Sequence, residues 1–415
     1  MSWRVMFSTL RRHSLLPALV LLQVALAGAI LCNVLFLVWQ RLEPMLAPTG
    51  VAADELILVD QLVSTGRPWT AAEVRAGEQA LRQVPGVRAA SAAVGLPMIS
   101  NVLLDMALQG SSGAKVGVNG YMGERLLGTL GLQLVAGRDF LPAEYREYGI
   151  VSSSGNVREG GVMEPIIIPQ TLADKLFGGG PALGKLLSDP TDKNDHGYQV
   201  VGIVKHLLRN ELTLATDGRA DDTVLLAKRI AGTVVLSYAV RVDPARRSEA
   251  LAGVRALIPR QFGPMLRADS ARVDFYSERR QDAFRSQRAA LWLLAGVTLS
   301  VVIVTAIGIM GLTGFWVQRR TRQIGIRRAL GARRVDILRY FLAENALIVG
   351  IGMALGMLFA YLGNLLLMHY YELQRLPWAY LPLGAAVMLL IGQLAVLGPA
   401  LRAAAVPPVV ATRSV

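Results

Sequence analysis

Residues 319–344 (RRTRQIGIRRALGARRVDILRYFLAE) form a strongly basic stretch between two uncharged runs, residues 289–318 and 345–371. The stretch contains eight arginines and only two acidic residues. One arginine at the centre of a membrane-spanning helix costs about 2.5–3.5 kcal/mol on insertion scales, so this stretch is excluded from the hydrocarbon core. Because basic loops of membrane proteins face the cytoplasm, the stretch predicts a short cytoplasmic connection between two membrane-spanning helices.

The pattern inside this stretch predicts a small helix with one apolar side. Ile326, Ala329 and Leu330 fall on one side of a helical turn, and arginines fall on another. Gly331 is placed to end the turn, because glycine readily adopts the left-handed conformation at a helix C-terminus. A second amphipathic helix is predicted to begin near Val335 and to continue into the next apolar run. An apolar patch framed by arginines indicates a surface that another protein binds.

The composition indicates a membrane protein. Of 415 residues 53% are hydrophobic, and the mean hydropathy is +0.42, which is too apolar for an ordinary soluble domain. Four runs lack Asp, Glu, Lys and Arg: residues 15–39, 289–318, 345–371 and 376–401. A 25-residue helix is about 37 Å long, more than a hydrocarbon core of about 30 Å requires. All four runs are therefore predicted to span the membrane.

The distribution of charge predicts the topology. Residues 41–288 contain 29 Lys and Arg against 27 Asp and Glu, whereas the remainder contains 14 against 3. Basic residues before the first run and after the last agree with both termini in the cytoplasm. Long domains translocate largely regardless of charge, so residues 41–288 are expected on the periplasmic side of a bacterial inner membrane. The pI of about 10.2 thus reflects topology and gives no reason to expect nucleic-acid binding.

The predicted fold class is an α-helical membrane protein with four transmembrane helices and a large α+β extracytoplasmic domain inserted between helices 1 and 2. Within this domain, Thr70 and Glu73 form a capping-box pattern, and Asp243 and Pro244 form a helix-start pattern. Strands are predicted at residues 56–59, 87–94, 102–109, 115–118, 165–168, 198–204, 224–227, 233–242 and 273–276, and helices at 70–84, 122–130, 170–177 and 243–258. The strand–helix–strand pattern recurs at both ends, which predicts two α+β lobes.

Residues 277–288 are polar and lack Gly and Pro, so they are predicted to extend the second membrane helix outward as a stalk. A counterpart is expected after the first span, limited by Pro44. The domain boundaries that follow are 1–14 for a cytoplasmic interfacial helix, 15–40 for the first transmembrane helix, 41–276 for the external domain, 277–318 for the stalk and second transmembrane helix, 319–344 for the basic cytoplasmic stretch, 345–371 for the third transmembrane helix, 372–375 for a short external loop, 376–401 for the fourth transmembrane helix and 402–415 for a cytoplasmic tail.

No catalytic, cofactor-binding or metal-binding constellation is recognisable in the sequence. Residues 179–185 (GGPALGK) spell GxxxxGK, but Leu186 follows where a phosphate loop needs Ser or Thr, so a turn is predicted. The four histidines lack metal-ligand spacing. The single cysteine, Cys32, lies in the first apolar run, and an apolar packing role is expected. Glycines at 308, 311, 314, 352 and 356 favour close helix packing, and the sequence leaves open whether this occurs within the chain or between copies.

The topology and residues 319–332 resemble the MacB/FtsX class of ABC-transporter permeases, whose signature reads R-x-x-E-I-G-I-R-R-A-x-G-A. Residues 407–413 (PPVVATR) are similar to the closing P-x-x-A-L-R of that class. Departures are Gln323 in place of Glu and Thr412 in place of Leu. In the external domain, residues 136–140, 176–185 and 198–204 match the MacB-type periplasmic pattern.

The resemblance implies that the basic stretch is a coupling helix that docks on a separate ABC ATPase subunit. The residues it assigns to this coupling are Arg320, Arg322, Ile324, Gly325, Ile326, Arg327, Arg328, Ala329, Gly331, Ala332 and Glu344. It implies no enzyme activity and no cofactor in this chain, because ATP is bound by the partner subunit. The expected partners are that ATPase, a second permease copy or a homologous permease, membrane lipid, and a periplasmic adaptor with an outer-membrane channel; no nucleic acid is expected.

The function that the resemblance implies is that of a permease subunit, which transmits ATP-driven conformational change to a periplasmic domain for export of a periplasmic substrate such as a peptide or drug. The alternative is an FtsX-like or sensor-type regulatory membrane protein that does not itself transport. A plain membrane-anchored binding protein would leave the three clustered spans and the basic stretch without a purpose.

Overall fold

The computed structural model describes residues 15–99, 105–148, 163–190, 197–210, 218–267, 270–371 and 376–405. The chain divides into two compact units. The helical unit comprises Met1–Leu42 and Gln287–Val415, and the sheet unit comprises Glu43–Ser286. The predicted interfacial helix, the short external loop and residues 406–415 of the predicted tail lie outside the described residues.

The sheet unit contains both helices and strands, whereas the described residues of the helical unit form helices and no strand. The helices are α1 (Leu15–Leu46), α2 (Ala71–Arg82), α3 (Leu126–Leu130), α4 (Gln170–Phe177), α5 (Arg247–Phe262), α6 (Tyr276–Ala283), α7 (Arg285–Ala329), α8 (Arg334–Tyr371) and α9 (Tyr380–Ala405). The strands are β1 (Leu56–Val63), β2 (Val87–Val94), β3 (Asp105–Gln109), β4 (Lys115–Gly123), β5 (Leu134–Gly137), β6 (Arg146–Tyr148), β7 (Met163–Pro169), β8 (Leu186–Ser188), β9 (Gly197–Val204), β10 (Thr223–Ile230), β11 (Val235–Val242) and β12 (Arg272–Phe275).

Four helices, α1, α7, α8 and α9, are long and apolar enough to cross a membrane by their length and composition. Their candidate spans are Ala18–Leu46, Arg285–Arg327, Arg334–Leu366 and Tyr380–Ala405. The number of spans agrees with the four uncharged runs of the sequence. The second long helix ends later than the uncharged run at residues 289–318. Helix α7 continues without a break through the first eleven residues of the basic stretch, to Ala329. The predicted small helix is therefore the last three turns of a 45-residue helix.

The prediction of one unbroken stalk helix from residue 277 into the membrane is wrong. Helix α6 ends at Ala283 and α7 begins at Arg285, with Phe284 between them at φ −91° and ψ 7°. The Phe284 side chain is buried in a small apolar cluster with Leu208. Burial of a phenylalanine stabilises by about 1.5–3 kcal/mol, which accounts for a break in the helix at the residue that turns inward.

The sheet unit contains twelve described strands in one sheet. The strands from the two ends of the unit are ordered β12-β1-β11-β2, and β4 joins them to the middle strands, ordered β3-β8-β9-β7-β10-β6. The twelfth strand, β5, pairs with β9 off this path. Successive residues of β1 point to opposite faces, so Ile57 and Val59 lie in one buried cluster and Leu56 and Leu58 in another. Helices α2, α4 and α5 contribute to the first cluster, and α3 contributes to the second. Two lobes remain a prediction, and the strands of both join one sheet.

Local signals predicted several elements correctly. The Thr70 hydroxyl accepts a hydrogen bond from the Glu73 amide (3.3 Å), and the Glu73 carboxylate accepts one from the Thr70 amide (2.9 Å), which confirms the capping box that opens α2.

The predicted helix at 122–130 is wrong at its start. Met122 belongs to β4, where it pairs with Leu226 of β10, and the helix is confined to α3. The predicted strand residues 102–104 lie outside the described part of the chain.

Candidate functional site

The basic stretch folds into a tight connection between α7 and α8. Gly331 adopts φ +98°, the Ala332 amide donates to the Arg327 carbonyl (3.1 Å), and the Leu330 amide donates to the Ile326 carbonyl (3.0 Å). A left-handed residue with a bond from the following amide back across the last turn is the Schellman motif, so Gly331 ends the helix as predicted.

The first turn of α8 is capped by its own acidic residue. Asp336 accepts a hydrogen bond from the Arg333 amide (3.0 Å), which satisfies one of the free amide groups at the helix N-terminus. A carboxylate in this position also interacts favourably with the helix dipole. The connection is therefore held at both ends by local bonds, although Asp336 was not among the predicted site residues.

The end of α7 presents apolar side chains to solvent. Leu330 is 83% exposed and Ile326 is 46% exposed, and they lie one turn apart on the same face. Ala329 is also exposed, and Arg327 and Arg322 are exposed beside them. We call Ile326, Ala329 and Leu330 the apolar turn surface.

Other predicted site residues face inward. Ile324 is 6% exposed and belongs to the core cluster of the helical unit, together with Ile337 and Phe341. Gly325 is buried, and Glu344 is only 4% exposed. These positions contribute to packing between helices and are not part of the apolar turn surface.

Arg320 and Glu344 form an ion pair between α7 and α8. The Arg320 Nη1 atom lies 3.0 Å from Glu344 Oε2 and donates a further hydrogen bond to the Tyr340 hydroxyl (3.2 Å). The guanidinium of Arg320 lies 5.8 Å from the Trp316 ring centroid, and that of Arg327 lies 5.2 Å from the Tyr340 ring centroid. Cation–π contacts of this kind add to the ion pair and tie both arginines of α7 to aromatic rings.

The structure thus separates the eleven predicted residues into groups. Ile326 and Ala329 lie on the apolar turn surface, Gly331 and Ala332 make the turn, Arg320 and Glu344 pair with each other, and Ile324 and Gly325 are buried. Arg322 and Arg327 are exposed, and the side chain of Arg328 lies outside the described part of the structure. Sequence reasoning omitted Tyr340 and Trp316 from the site. Their spacing of four residues from Glu344 and from Arg320, respectively, was the signal available.

The glycine patterns of the third span pack within the chain. A Cβ atom added to Gly356 would lie 2.7 Å from the Ala25 carbonyl oxygen of α1, and one added to Gly352 would lie 2.8 Å from Val24. Close backbone approach at small residues is how membrane helices pack. By contrast, no heavy atom of the described chain lies within 4 Å of a Cβ added to Gly311 or Gly314.

The sheet unit offers no alternative site among the residues described. The GxxxxGK segment forms turns, with Gly179 and Gly184 at positive φ and the Lys185 amide donating to the Ala182 carbonyl (3.1 Å). His206 pairs with Asp221 (2.9 Å), and no group of three or more metal-ligating side chains occurs in the described ranges.

The region that contains the basic stretch resembles a known protein family. Residues 295–408, which contain the basic stretch and its flanking helices, match the family of FtsX-like permease C-terminal domains. The match confirms the resemblance to MacB/FtsX-like ABC permeases that the signature indicated.

Among curated relatives are macrolide export ATP-binding/permease proteins MacB. The Nitrobacter winogradskyi protein is 30% identical over 207 residues, covering 46% of this chain and 29% of the relative. The Aeromonas hydrophila MacB 1 protein is 29% identical over 344 residues, covering 78% of this chain and 48% of the relative. The chain therefore spans less than half the length of these relatives.

Two solved structures are similar to about half of the chain. The extracellular domain of the noncanonic ABC-type transporter YknZ from Gram-positive bacteria aligns with 14% identity and a TM-score of 0.33, covering 53% of this chain and 99% of that domain. The periplasmic region of MacB from Actinobacillus actinomycetemcomitans aligns with 11% identity and a TM-score of 0.35, covering 56% and 94%, respectively.

Proposed function

We propose that this chain is the permease subunit of an ABC transporter, which receives ATP-driven movement from a separate ATPase at the apolar turn surface. The single observation that carries the proposal is the exposure of Leu330 and Ile326 at the end of α7, in a stretch too basic to enter the membrane. An apolar patch rimmed by polar residues marks a site that a protein or a membrane covers, and we infer a protein because the surrounding stretch is too basic to enter the membrane.

The charge around this surface favours an acidic partner. Arg322, Arg327, Arg333 and Arg334 are exposed, and none of them is in an ion pair within the described chain. Complementary charge at an interface accelerates association and excludes wrong partners. We infer that the ATPase presents an apolar groove with acidic residues at its rim.

Helix α7 supplies the route by which movement leaves this surface. It runs for 45 residues, about 67 Å at 1.5 Å per residue, without a break between Arg285 and Ala329. The Arg320–Glu344 pair fixes its cytoplasmic end to α8, so the two helices respond to the partner together.

The remaining features of the proposal concern topology and partners. Both termini are placed in the cytoplasm, the sheet unit in the periplasm between the first and second spans, and ATP on the partner subunit. A second permease copy or a homologous permease, lipid, a periplasmic adaptor and an outer-membrane channel complete the assembly. The substrate class proposed is a peptide, a drug or a similar periplasmic molecule, in keeping with the macrolide export named for the relatives.

Co-purification tests the proposed docking. The chain is co-expressed with the ABC ATPases of its source, and Ile326→Asp and Leu330→Asp are compared with Leu186→Asp, which places the same charge on an exposed leucine of β8. Loss of a hot-spot residue costs about 2 kcal/mol or more, and we propose that Ile326 and Leu330 are hot spots, so we expect recovery of the ATPase to fall by roughly tenfold or more in the first two variants alone. Unchanged recovery of the ATPase in all variants would contradict docking at the apolar turn surface. Failure of the native chain to recover any ATPase would contradict the proposed function.

The match to FtsX-like permease domains favours one second candidate, a regulatory membrane protein that uses the same ATPase without moving a substrate. Reconstitution in sealed vesicles separates the two. ATP-dependent movement of a labelled substrate supports the permease, and hydrolysis-dependent conformational change without transport of any tested substrate supports the regulator.

A further inference from the structure

Two consecutive arginines of α6 connect the two ends of the sheet unit. Arg279 and Arg280 lie in the short helix that follows β12, directly before the break at Phe284. Successive helical residues point about 100° apart, so the two guanidinium groups reach different neighbours.

Arg279 holds α6 to the sheet. Its side chain and that of Asp60 on β1 are each 4% exposed, and the two form a bidentate pair with Arg279 Nη2 3.0 Å from Asp60 Oδ1 and Nη1 bound to Oδ2. Arg279 Nη2 also donates to the Arg272 carbonyl of β12 (3.2 Å). Bidentate pairing of a planar guanidinium with a carboxylate fixes the orientation as well as the distance.

Arg280 holds α6 to the end of α1. Its Nη2 atom donates to the Met45 carbonyl (2.9 Å) and to the Ala47 carbonyl (2.8 Å). Carbonyl groups at a helix C-terminus lack partners within the helix, and a cation there is favourable both as a donor and against the helix dipole. The Arg280 guanidinium lies 5.9 Å from the Phe284 ring centroid, so the same side chain also contacts the break.

We propose that Arg279 and Arg280 are positioning residues that form the joint through which movement of α1 and α7 enters the sheet. The proposal rests on the proposed function. Because α6 and α7 are separate helices, no single described helix runs from the second candidate membrane span to β12. The two arginines supply the missing connection, since they bind the end of α1, β12 and β1 to one short helix.

Distance measurements on the full chain test this joint. Cys32 is the single cysteine, so a Cys32→Ser background accepts spin labels at Leu46 on α1 and Ser248 on α5, both exposed positions. We expect a narrow distribution of label distances in the native background and in Arg285→Ala, an exposed arginine of the next helix. Arg280→Ala is expected to broaden the distribution, and Arg280→Lys to restore it in part because an ammonium group still donates to carbonyls.

The functional measurement uses the same variants in complex with the ATPase. Loss of two charge-assisted hydrogen bonds is expected to lower ATP-driven transport by about tenfold or more in Arg280→Ala, with ATP hydrolysis changed less than about twofold. A purely structural role would lower hydrolysis and transport together. Arg279→Ala tests the contact of Arg279 with Asp60 in the same way. If that variant does not fold, the double variant Asp60→Asn with Arg279→Gln replaces it, because it keeps a neutral hydrogen bond in place of the ion pair.

The outcomes are distinguishable. Broadened distances together with uncoupled transport support the joint, whereas a narrow distribution in Arg280→Ala, or a broad one with unchanged transport, overturns it. If the native complex shows no ATP-driven transport, the proposed function fails, and the label distances in Arg280→Ala then decide whether the two arginines hold the joint together. The label distances recorded without the ATPase identify which of the two statements was at fault.

Discussion

Arg320 of α7 and Glu344 of α8 form an ion pair with their nitrogen and oxygen atoms 3.0 Å apart, and the carboxylate side chain is 5% exposed. The pair lies in the helical unit, one on each side of the Schellman turn at Gly331. Both residues are among those that the resemblance assigns to coupling, yet each is the principal partner of the other. Their contribution is to hold α7 and α8 together beside the turn.

Removal of Arg320 is expected to destabilise the helical unit. Arg320→Ala leaves the buried Glu344 carboxylate without its cation, and breaking such a pair costs about 3 kcal/mol, the lower end of the range for buried pairs, because Arg320 itself is partly exposed. Arg322→Ala, two residues away and exposed, serves as the matched control and is expected to change stability by less than about 0.5 kcal/mol.

Thermal unfolding in detergent, followed by tryptophan fluorescence, measures this difference. The double variant Arg320→Gln with Glu344→Gln is expected to recover part of the loss, because neither buried charge then remains. Equal losses for Arg320→Ala and Arg322→Ala would contradict the assignment of the pair.

Substitutions of the two isoleucines of the signature, Ile324 and Ile326, are expected to affect different properties. Ile324→Ala removes a buried side chain and is expected to cost about 2–5 kcal/mol of stability. Ile326→Ala removes an exposed one and is expected to change stability by less than about 0.5 kcal/mol while weakening ATPase recovery. Unfolding and co-purification of both variants give the comparison, and the same profile for the two would show that the buried and exposed assignments are wrong.

Gly356 is expected to tolerate no side chain. A Cβ atom there would lie 2.7 Å from a backbone oxygen of Ala25, so Gly356→Ala forces α1 and α8 apart at a cost of about 1–3 kcal/mol. Gly363→Ala, about two turns further along α8, meets no heavy atom of the described chain within 4 Å and gains up to about 1 kcal/mol from helix propensity. The unfolding temperature is expected to fall in Gly356→Ala and to rise in Gly363→Ala. A fall of similar size in both variants would argue against close packing at Gly356.

Stability of the sheet unit is expected to fall in acid through Glu73. A hydrogen bond from Arg67 lowers the pKa of Glu73 from 4.5 to about 2. Because the folded-state pKa is depressed, this contribution is present above pH 4.5 and is lost as the pH falls toward about 2. The pair is exposed, so solvent screening keeps the effect small.

Hydrogen exchange of the α2 amides between these pH values measures the effect. Glu73→Gln is expected to flatten the pH dependence of their protection, and Glu249→Gln, which removes a comparable exposed partner of Arg246, is expected to leave α2 unchanged. An unaltered slope in Glu73→Gln would assign the acid sensitivity to other groups.

Features that depend on local chemistry could be predicted from the sequence. Four uncharged runs predict four long apolar helices, the Thr70–Glu73 spacing predicts the start of α2, and Gly331 predicts the end of α7. In each case the deciding interactions lie within a few residues of one another, or depend on composition alone.

Features decided by distant residues could not be predicted in this way. The break at Phe284 depends on Leu208, which is 76 positions away and supplies the apolar neighbour that turns the ring inward. The extension of β4 to Met122 depends on pairing with β10. The division of the signature into exposed and buried residues depends on α8 packing against α7, which no spacing within residues 319–332 reveals.

The chain passes between its two compact units at only two peptide linkages, Leu42–Glu43 and Ser286–Gln287. Such seams suit a graft in which the segment from Glu43 to Ser286 is replaced by that of a relative, while the long apolar helices and the turn at Gly331 are kept. In such a chimera the grafted segment supplies its own equivalents of Arg280, Met45 and Ala47, because all three positions lie within Glu43–Ser286. The two units are in that sense separately replaceable parts.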